Sequence, residues 1–278
     1  MKEILSKIRK AVDDYQMIEE GDKIAVGLSG GKDSVTLLLA LKNLQIFYPN
    51  HFELIALTVD PGGNLFDTTE LEALCKEIGV EYIIEKTDIK EIVFDIRKEK
   101  NPCSLCANLR RGALYSTAKE HGCTKVALGH HMDDVIETFF LSLFYEGNIH
   151  TFSPKTYLSK NDITSIRPMI YLEEKEIKSF AKRNNIPIMK KTCEVDGKTK
   201  RESMKNLVRE LSKSIPRLKS CVFGAIQRSQ IKGWQKGETQ DENHHRTRDT
   251  GHGIRIDAGC TEAYVGTENL CLGTAGGI

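Results

Sequence analysis

The 278-residue sequence has no apolar run approaching the roughly 18 to 20 residues that a membrane-spanning helix needs. Its charged, amphipathic start, Met1 to Lys10, lacks the apolar core of a secretory signal, so a cytoplasmic chain without membrane contact is expected. The eight cysteines are too thinly spread for the disulfide framework of a small secreted domain, and in a cytoplasmic protein their pairs read first as metal or redox sites. Net charge is nearly absent, at +1, but the balance is local. Between Lys182 and Lys232 there are 14 Lys or Arg against 4 Asp or Glu, which leaves the remainder acidic. A Walker A loop is missing too: three residues rather than four separate Gly27 from Gly31, and Asp33, not Ser or Thr, follows Lys32.

What stands in its place is Gly27-Leu28-Ser29-Gly30-Gly31-Lys32-Asp33-Ser34, between the apolar run Lys23 to Val26 and an apolar-periodic helix from Val35 to Ile46. Glycines let the backbone turn tightly and gather N–H groups onto one anion, and the helix start adds partial positive charge. The loop reads as a phosphate cradle. Its Ser-Gly-Gly-Lys-Asp-Ser hexamer resembles the pyrophosphate loop of ATP pyrophosphatases, which split ATP between the α and β phosphates.

The opening two-thirds alternates short Val, Ile and Leu runs with amphipathic stretches, predicting an α/β domain with a parallel sheet. Strands are expected at Lys23 to Val26, Phe52 to Val59, Tyr82 to Ile84, Lys125 to Leu128 and Ile163 to Arg167, with Gly147 to Lys160 as a loop. Glu3 to Tyr15 is a one-faced helix suited to covering the sheet or to pairing two copies as a homodimer. Ligands of such sheets lie beyond the carboxyl strand ends. Asp60, ending the second strand, is thus placed to edge an adenosine or to cap a turn. Gly129-His130-His131-Met132-Asp133-Asp134, ending the fourth, suggests ligand and Mg2+ chemistry or, more plainly, helix capping.

Cys103 and Cys106 lie two residues apart at a predicted helix start, with Arg110 and Arg111 following. That spacing suits a redox dithiol or half of a metal site. Cys193 is the candidate third ligand, while Cys75 and Cys221 read as core. Basic helices are expected at Arg201 to Ser214 and Arg217 to Arg228. From Gly233 on, nine glycines and three histidines without periodicity predict a low-order tail.

Taken together, the loop, the Cys pair with Leu109-Arg110-Arg111-Gly112, the Gly129-His130-His131 and Asp133-Asp134 segment and the Cys193 region resemble the tRNA 2-thiocytidine synthetase family. The resemblance implies an adenine nucleotide alpha hydrolase-like PP-loop domain at 21–190, after an N-terminal helix at 1–20. It implies a basic helical extension at 191–232 completing a cluster site, and leaves 233–278 outside. Further implications are ATP and Mg2+ in the cradle of Ser29, Gly30, Gly31, Lys32, Asp33 and Ser34, with Asp60, Gly129 and His130 beside the nucleotide. Asp33 or Asp134 would hold the metal, and Lys32, Asp134, Arg110 and Arg111 would act on phosphate or base. Cys103, Cys106 and Cys193 would hold a 4Fe-4S cluster with one iron open to sulfur. The partners implied are tRNA, on the basic span, and a sulfur donor, either sulfide or a cysteine desulfurase. The family's usual second cysteine before the third ligand is Lys191-Thr192 here. Flanking Cys-rich zinc modules of the thiouridine-forming relatives are absent, which favours cytidine over uridine. A lysidine-forming pyrophosphatase is the alternative that leaves the cysteines idle.

Overall fold

The structure, a computed structural model, describes residues 1–63, 67–97, 102–189 and 200–237. Six strands, β1 (Asp22–Gly27), β2 (Phe52–Asp60), β3 (Glu81–Lys86), β4 (Lys125–Ala127), β5 (Lys155–Leu158) and β6 (Ile163–Ile166), form one sheet in the order β3-β2-β1-β4-β6-β5. All pairings are parallel except that of β5 with β6. The chain winds outward from β1 to β3, then returns to β4 on the other side of β1. A crevice therefore opens where β1 and β4 end, the position at which such sheets bind ligands.

Eight α-helices pack around the sheet among the described residues: α1 (Lys2–Asp14), α2 (Lys32–Leu44), α3 (Thr69–Glu77), α4 (Pro102–Glu120), α5 (Met132–Leu141), α6 (Glu174–Arg183), α7 (Lys200–Ser214) and α8 (Leu218–Arg228), with π-helical turns at Glu91–Ile96 and Ser142–Glu146. Both faces of the sheet are covered, so its central strands read as near-continuous apolar runs. Period-2 alternation sends Leu54 and Ala56 of β2 into one core cluster and Ile55, Leu57 and Val59 into the other. The first cluster contains α1, α2, α5 and α6; the second is roofed by α4. Ile4, Ile8, Ala11 and Val12 are buried, so α1 covers the core, and Lys7 bonds Glu176 of α6 at 2.7 Å.

The orientation of α4 follows from its connections. It ends at Glu120, just before β4 begins at the amino edge of the sheet, so it runs antiparallel to the strands. Its 19 residues span about 28 Å at 1.5 Å per residue. The start of α4, with Cys103 and Cys106, is thereby carried to the carboxyl edge, where the loop after β1 also lies.

Several expectations need correction. The stretch 147–160 is not all loop: Lys155–Leu158 is an antiparallel edge strand, whose mixed side chains gave little alternation to read. Cys221 is exposed on α8, while its neighbour Phe223 takes the core position. Trp234, expected in the tail, is 1% exposed and meets Tyr15 and Phe223 edge-on. Residues 238–278 lie outside the described residues. Cys75 is buried as expected, and desolvation pushes its thiol up to about 11.

Candidate active site

The loop after β1 is held by its neighbours before any ligand arrives. Leu28 N–H donates to Leu57 O at 2.8 Å and Thr58 Oγ1 donates to Leu28 O at 2.6 Å, fixing the exit from the strand. Gly30 has φ +74°, a left-handed conformation in which a Cβ would strike Met189. Ser34, the last loop residue and buried in α2, donates from Oγ to Gly31 O at 3.0 Å and accepts from Ser29 N–H at 3.1 Å. Gly129, just past β4, sits so close that a Cβ would lie 3.1 Å from Asp33 C and Ser34 N. Met189 N–H donates to Gly30 O at 2.9 Å, which ties the segment after α6 to the crown of the loop.

Around the loop the carboxylates are matched with cations. Lys32 Nζ lies 2.9 Å from Asp33 and 3.2 Å from Glu174. Burial pulls Lys32 down, but Asp33 and Glu174 outweigh it and hold the ammonium above its ordinary value. Burial alone would push Glu174 up; Lys178, Lys205 and Lys32 instead hold it down at about 2. Asp133 is buried, bonded to Lys219 Nζ and, at 2.7 Å, to Glu174 N–H at the start of α6. Asp134 Oδ2 accepts His131 N–H at 2.9 Å and Oδ1 accepts Arg201 at 2.8 Å. Burial raises Asp134, yet His131, Arg201 and His130 prevail and keep it low.

Asp134 does cap α5, as the plain reading had it, but it also pairs with a cation from α7, whereas Asp133 accepts the first N–H of α6. Asp33 differs: its Oδ1 is buried without a hydrogen-bond partner, with His131 Nε2 3.8 Å away. That vacant lone pair fits a cation better than either oxygen of Asp134, which would have to release Arg201 or a backbone donor. Among the described residues no group of three or more His, Cys, Asp or Glu forms a metal site by itself. A Mg2+ arriving with nucleotide takes most of its ligands from phosphate and water, so one carboxylate suffices. Asp60 accepts Gly62 N–H at 2.9 Å and so caps its turn.

Cys103 is exposed and Cys106 half-buried on the first turn of α4, with Arg110 and Arg111 on the next turns. Cys193 falls outside the described residues, which resume at α7. Sequence reasoning missed Glu137, Glu174, Arg167, Arg201, Lys205 and Lys219 as members of this region. The basic span had been read as one RNA-facing surface; Arg201, Lys205 and Lys219 are instead turned inward onto Asp134, Glu174 and Asp133.

Glu137 is 5% exposed, one turn beyond Asp134, with Arg201 Nε 3.7 Å away. Desolvation and then Asp134 push it up to about 7, with Arg201 and Lys205 opposing. The folded chain therefore holds this proton to higher pH than the unfolded one, and stability from this group falls as pH rises from about 4.5 to about 7. Glu137→Gln removes the decline: relative to wild type the variant gains up to ~3 kcal/mol across that window in chemical denaturation. A constant difference between the two proteins from pH 4.5 to 7 contradicts the assignment.

A strand, a Gly-rich pyrophosphate loop and a helix start at the switch point of a parallel sheet define the class of PP-loop nucleotide-binding domains. A family model described as a PP-loop domain matches residues 1–211. The chain is 44% identical over 220 residues, 78% of its length and 85% of the relative's, to the tRNA-cytidine(32) 2-sulfurtransferase of Syntrophotalea carbinolica. It is 40% identical to that of Geobacter metallireducens, over 81% of this chain and 89% of the relative. The U34-tRNA thiolase NcsA from Methanococcus maripaludis, solved with its [4Fe-4S] cluster, superposes with a TM-score of 0.66 at 26% identity, covering 82% of this chain and 77% of that one. The chain belongs to the tRNA-cytidine(32) 2-sulfurtransferase family of PP-loop enzymes.

Proposed function

We propose that this chain uses ATP to replace the C2 oxygen of a cytidine in a tRNA anticodon loop with sulfur. The observation that carries the reading is the meeting, at one edge of the sheet, of the loop Ser29 to Ser34 with the Cys103 and Cys106 pair at the start of α4. A nucleotide-splitting loop explains half of that arrangement; two thiols on one helical turn at the same edge of the sheet suit sulfur or metal chemistry.

ATP binds with its phosphates on the N–H groups of the loop and the start of α2, and Lys32 neutralises their charge. Asp33, whose Oδ1 has no hydrogen-bond partner, would hold the Mg2+ that accompanies ATP. Asp134, already fixed by Arg201, organises the floor beside it. The cytidine O2 attacks the α phosphorus, pyrophosphate leaves, and the base carries AMP on the former carbonyl oxygen. Sulfur then adds at C2 and AMP departs with that oxygen. Arg110 and Arg111 orient the phosphate or the activated base.

Cys103, Cys106 and Cys193 would hold a 4Fe-4S cluster. The donor set fits, since thiolates are its ligands, and three of them leave one coordination position open. When bound, the cluster supplies an iron at which inorganic sulfide can be presented.

Incubation of the anaerobically prepared chain with ATP, sulfide and bulk tRNA, followed by nucleoside mass analysis, should yield 2-thiocytidine. A 2-thiouridine product would move the substrate to uridine. Lysidine, or AMP without any thionucleoside, would overturn sulfur transfer.

A further inference from the structure

Arg167 follows β6 at the carboxyl edge of the sheet and is only 9% exposed, yet no carboxylate pairs with it among the described residues. Its Nη1 donates to Ser153 O at 2.6 Å and approaches Thr156 Oγ1 at 3.4 Å. The guanidinium lies 4.9 Å from the centre of the Phe152 ring, and Nε is buried with nothing to donate to. Burial pulls its pKa down to about 10, the Tyr115 side chain opposing and Arg111 adding to the pull.

The Phe152 ring also meets the His130 ring, 5.0 Å away and tilted. His130 Nδ1 is buried and unpartnered. Burial, then Arg167, drives the imidazole down to about 3, Asp134 opposing and Arg201 and Arg111 adding to it, so the ring is neutral. Arg111, exposed on α4, is close enough for its charge to act on both Arg167 and His130. Asp134, the one carboxylate that acts on His130, is already bonded to Arg201.

Arg167 and His130 thus both pack on the Phe152 ring within reach of the Arg111 charge, with no carboxylate bonded to either among the described residues and with two buried nitrogens unused. An uncompensated buried cation is costly, and a second cation nearby raises that cost. An anion entering such a cluster would supply the missing counter-charge. His130 adjoins Gly129, which lies against the backbone of Asp33 and Ser34, so the cluster borders the loop.

We propose that Arg167, with His130 beside it and Arg111 at its mouth, forms a second phosphate-binding pocket distinct from the loop of Ser29 to Ser34. A guanidinium fork matches phosphate in shape and charge, and both proposed substrates bring phosphate. The source is either a backbone phosphate of the RNA next to the reacting nucleotide or a phosphate of the nucleotide that extends past the loop. The assignment of these ligands rests on the proposed function; the pocket itself rests on its geometry.

The test compares wild type, Arg167→Gln and Arg111→Gln in two separate titrations, bulk tRNA without ATP and ATP with Mg2+ without RNA. Arg111 is exposed, so its variant keeps the test open if the buried substitution impairs folding. An RNA phosphate predicts about tenfold or greater loss of tRNA affinity in either variant, with the salt dependence reduced by about one counterion, and unchanged ATP affinity. A nucleotide phosphate predicts the reverse pattern. Wild-type affinity of a folded variant for both ligands would overturn the pocket. Failure of wild type to bind either ligand would instead overturn the proposed function, together with the ligands assigned here.

Discussion

Lys32→Ala is expected to lower AMP formation from ATP by roughly a hundredfold to a thousandfold, the size of effect seen when one preorganised donor to a developing charge is removed. The ammonium is the only side-chain cation contributed by the loop itself, and it is pinned between Asp33 at 2.9 Å and Glu174 at 3.2 Å. It is therefore aimed before substrate binds and needs no reorganisation when charge builds on the leaving pyrophosphate. Folding should survive the change, because Glu174 keeps Lys178 and Lys205, each at 3.1 Å. Thermal melting and single-turnover AMP release on the same sample separate the two effects. A folded variant with wild-type AMP release would remove Lys32 from the chemistry.

Cys106→Ser is expected to abolish sulfur transfer while sparing ATP binding. Cys106 is half-buried at the start of α4, and serine is close to it in size, so the helix should keep its place. Iron in the anaerobically reconstituted protein should fall from about four atoms per chain to near zero, as loss of one of three ligands requires. The same loss is expected for Cys103→Ser and for Cys193→Ser. Iron retained in full by any one of them would exclude that thiol from the ligand set.

The loop was legible because all its signals are local: an apolar run, glycines at the turn, a lysine and a periodic helix within about two dozen residues. The Cys pair was legible for the same reason, spacing on one helical turn. What surrounds them was not. Asp134 with Arg201, Glu174 with Lys205 and Asp133 with Lys219 are 67, 31 and 86 residues apart in sequence, and no periodicity reports which of many lysines turns inward. A count of positive charge between Lys182 and Lys232 saw a surface where half the logic is internal neutralisation. Arg167 was read as the end of a strand, since burial without a carboxylate partner is visible only in three dimensions. Trp234 was grouped with a glycine-rich tail by composition, although one indole ring packed on Tyr15 and Phe223 outweighs its polar neighbours.

The same pairing logic bears on how the site is kept in register. α6, α7 and α8 each send a charged side chain or backbone group to α5 or to the loop: Glu174 to Lys32, Arg201 to Asp134 and Lys219 to Asp133. These partly buried pairs lose their desolvation balance if either member is removed, so they specify one docking of the helical extension on the sheet.

The most direct test of the account is a single-turnover reaction with ATP, sulfide and unmodified tRNA in which AMP, ADP and 2-thiocytidine are measured together. Activation of the base through its O2 predicts one AMP for each 2-thiocytidine, appearing with the same time course, and no ADP. Formation of ADP, or 2-thiocytidine made without a matching amount of AMP, would contradict it.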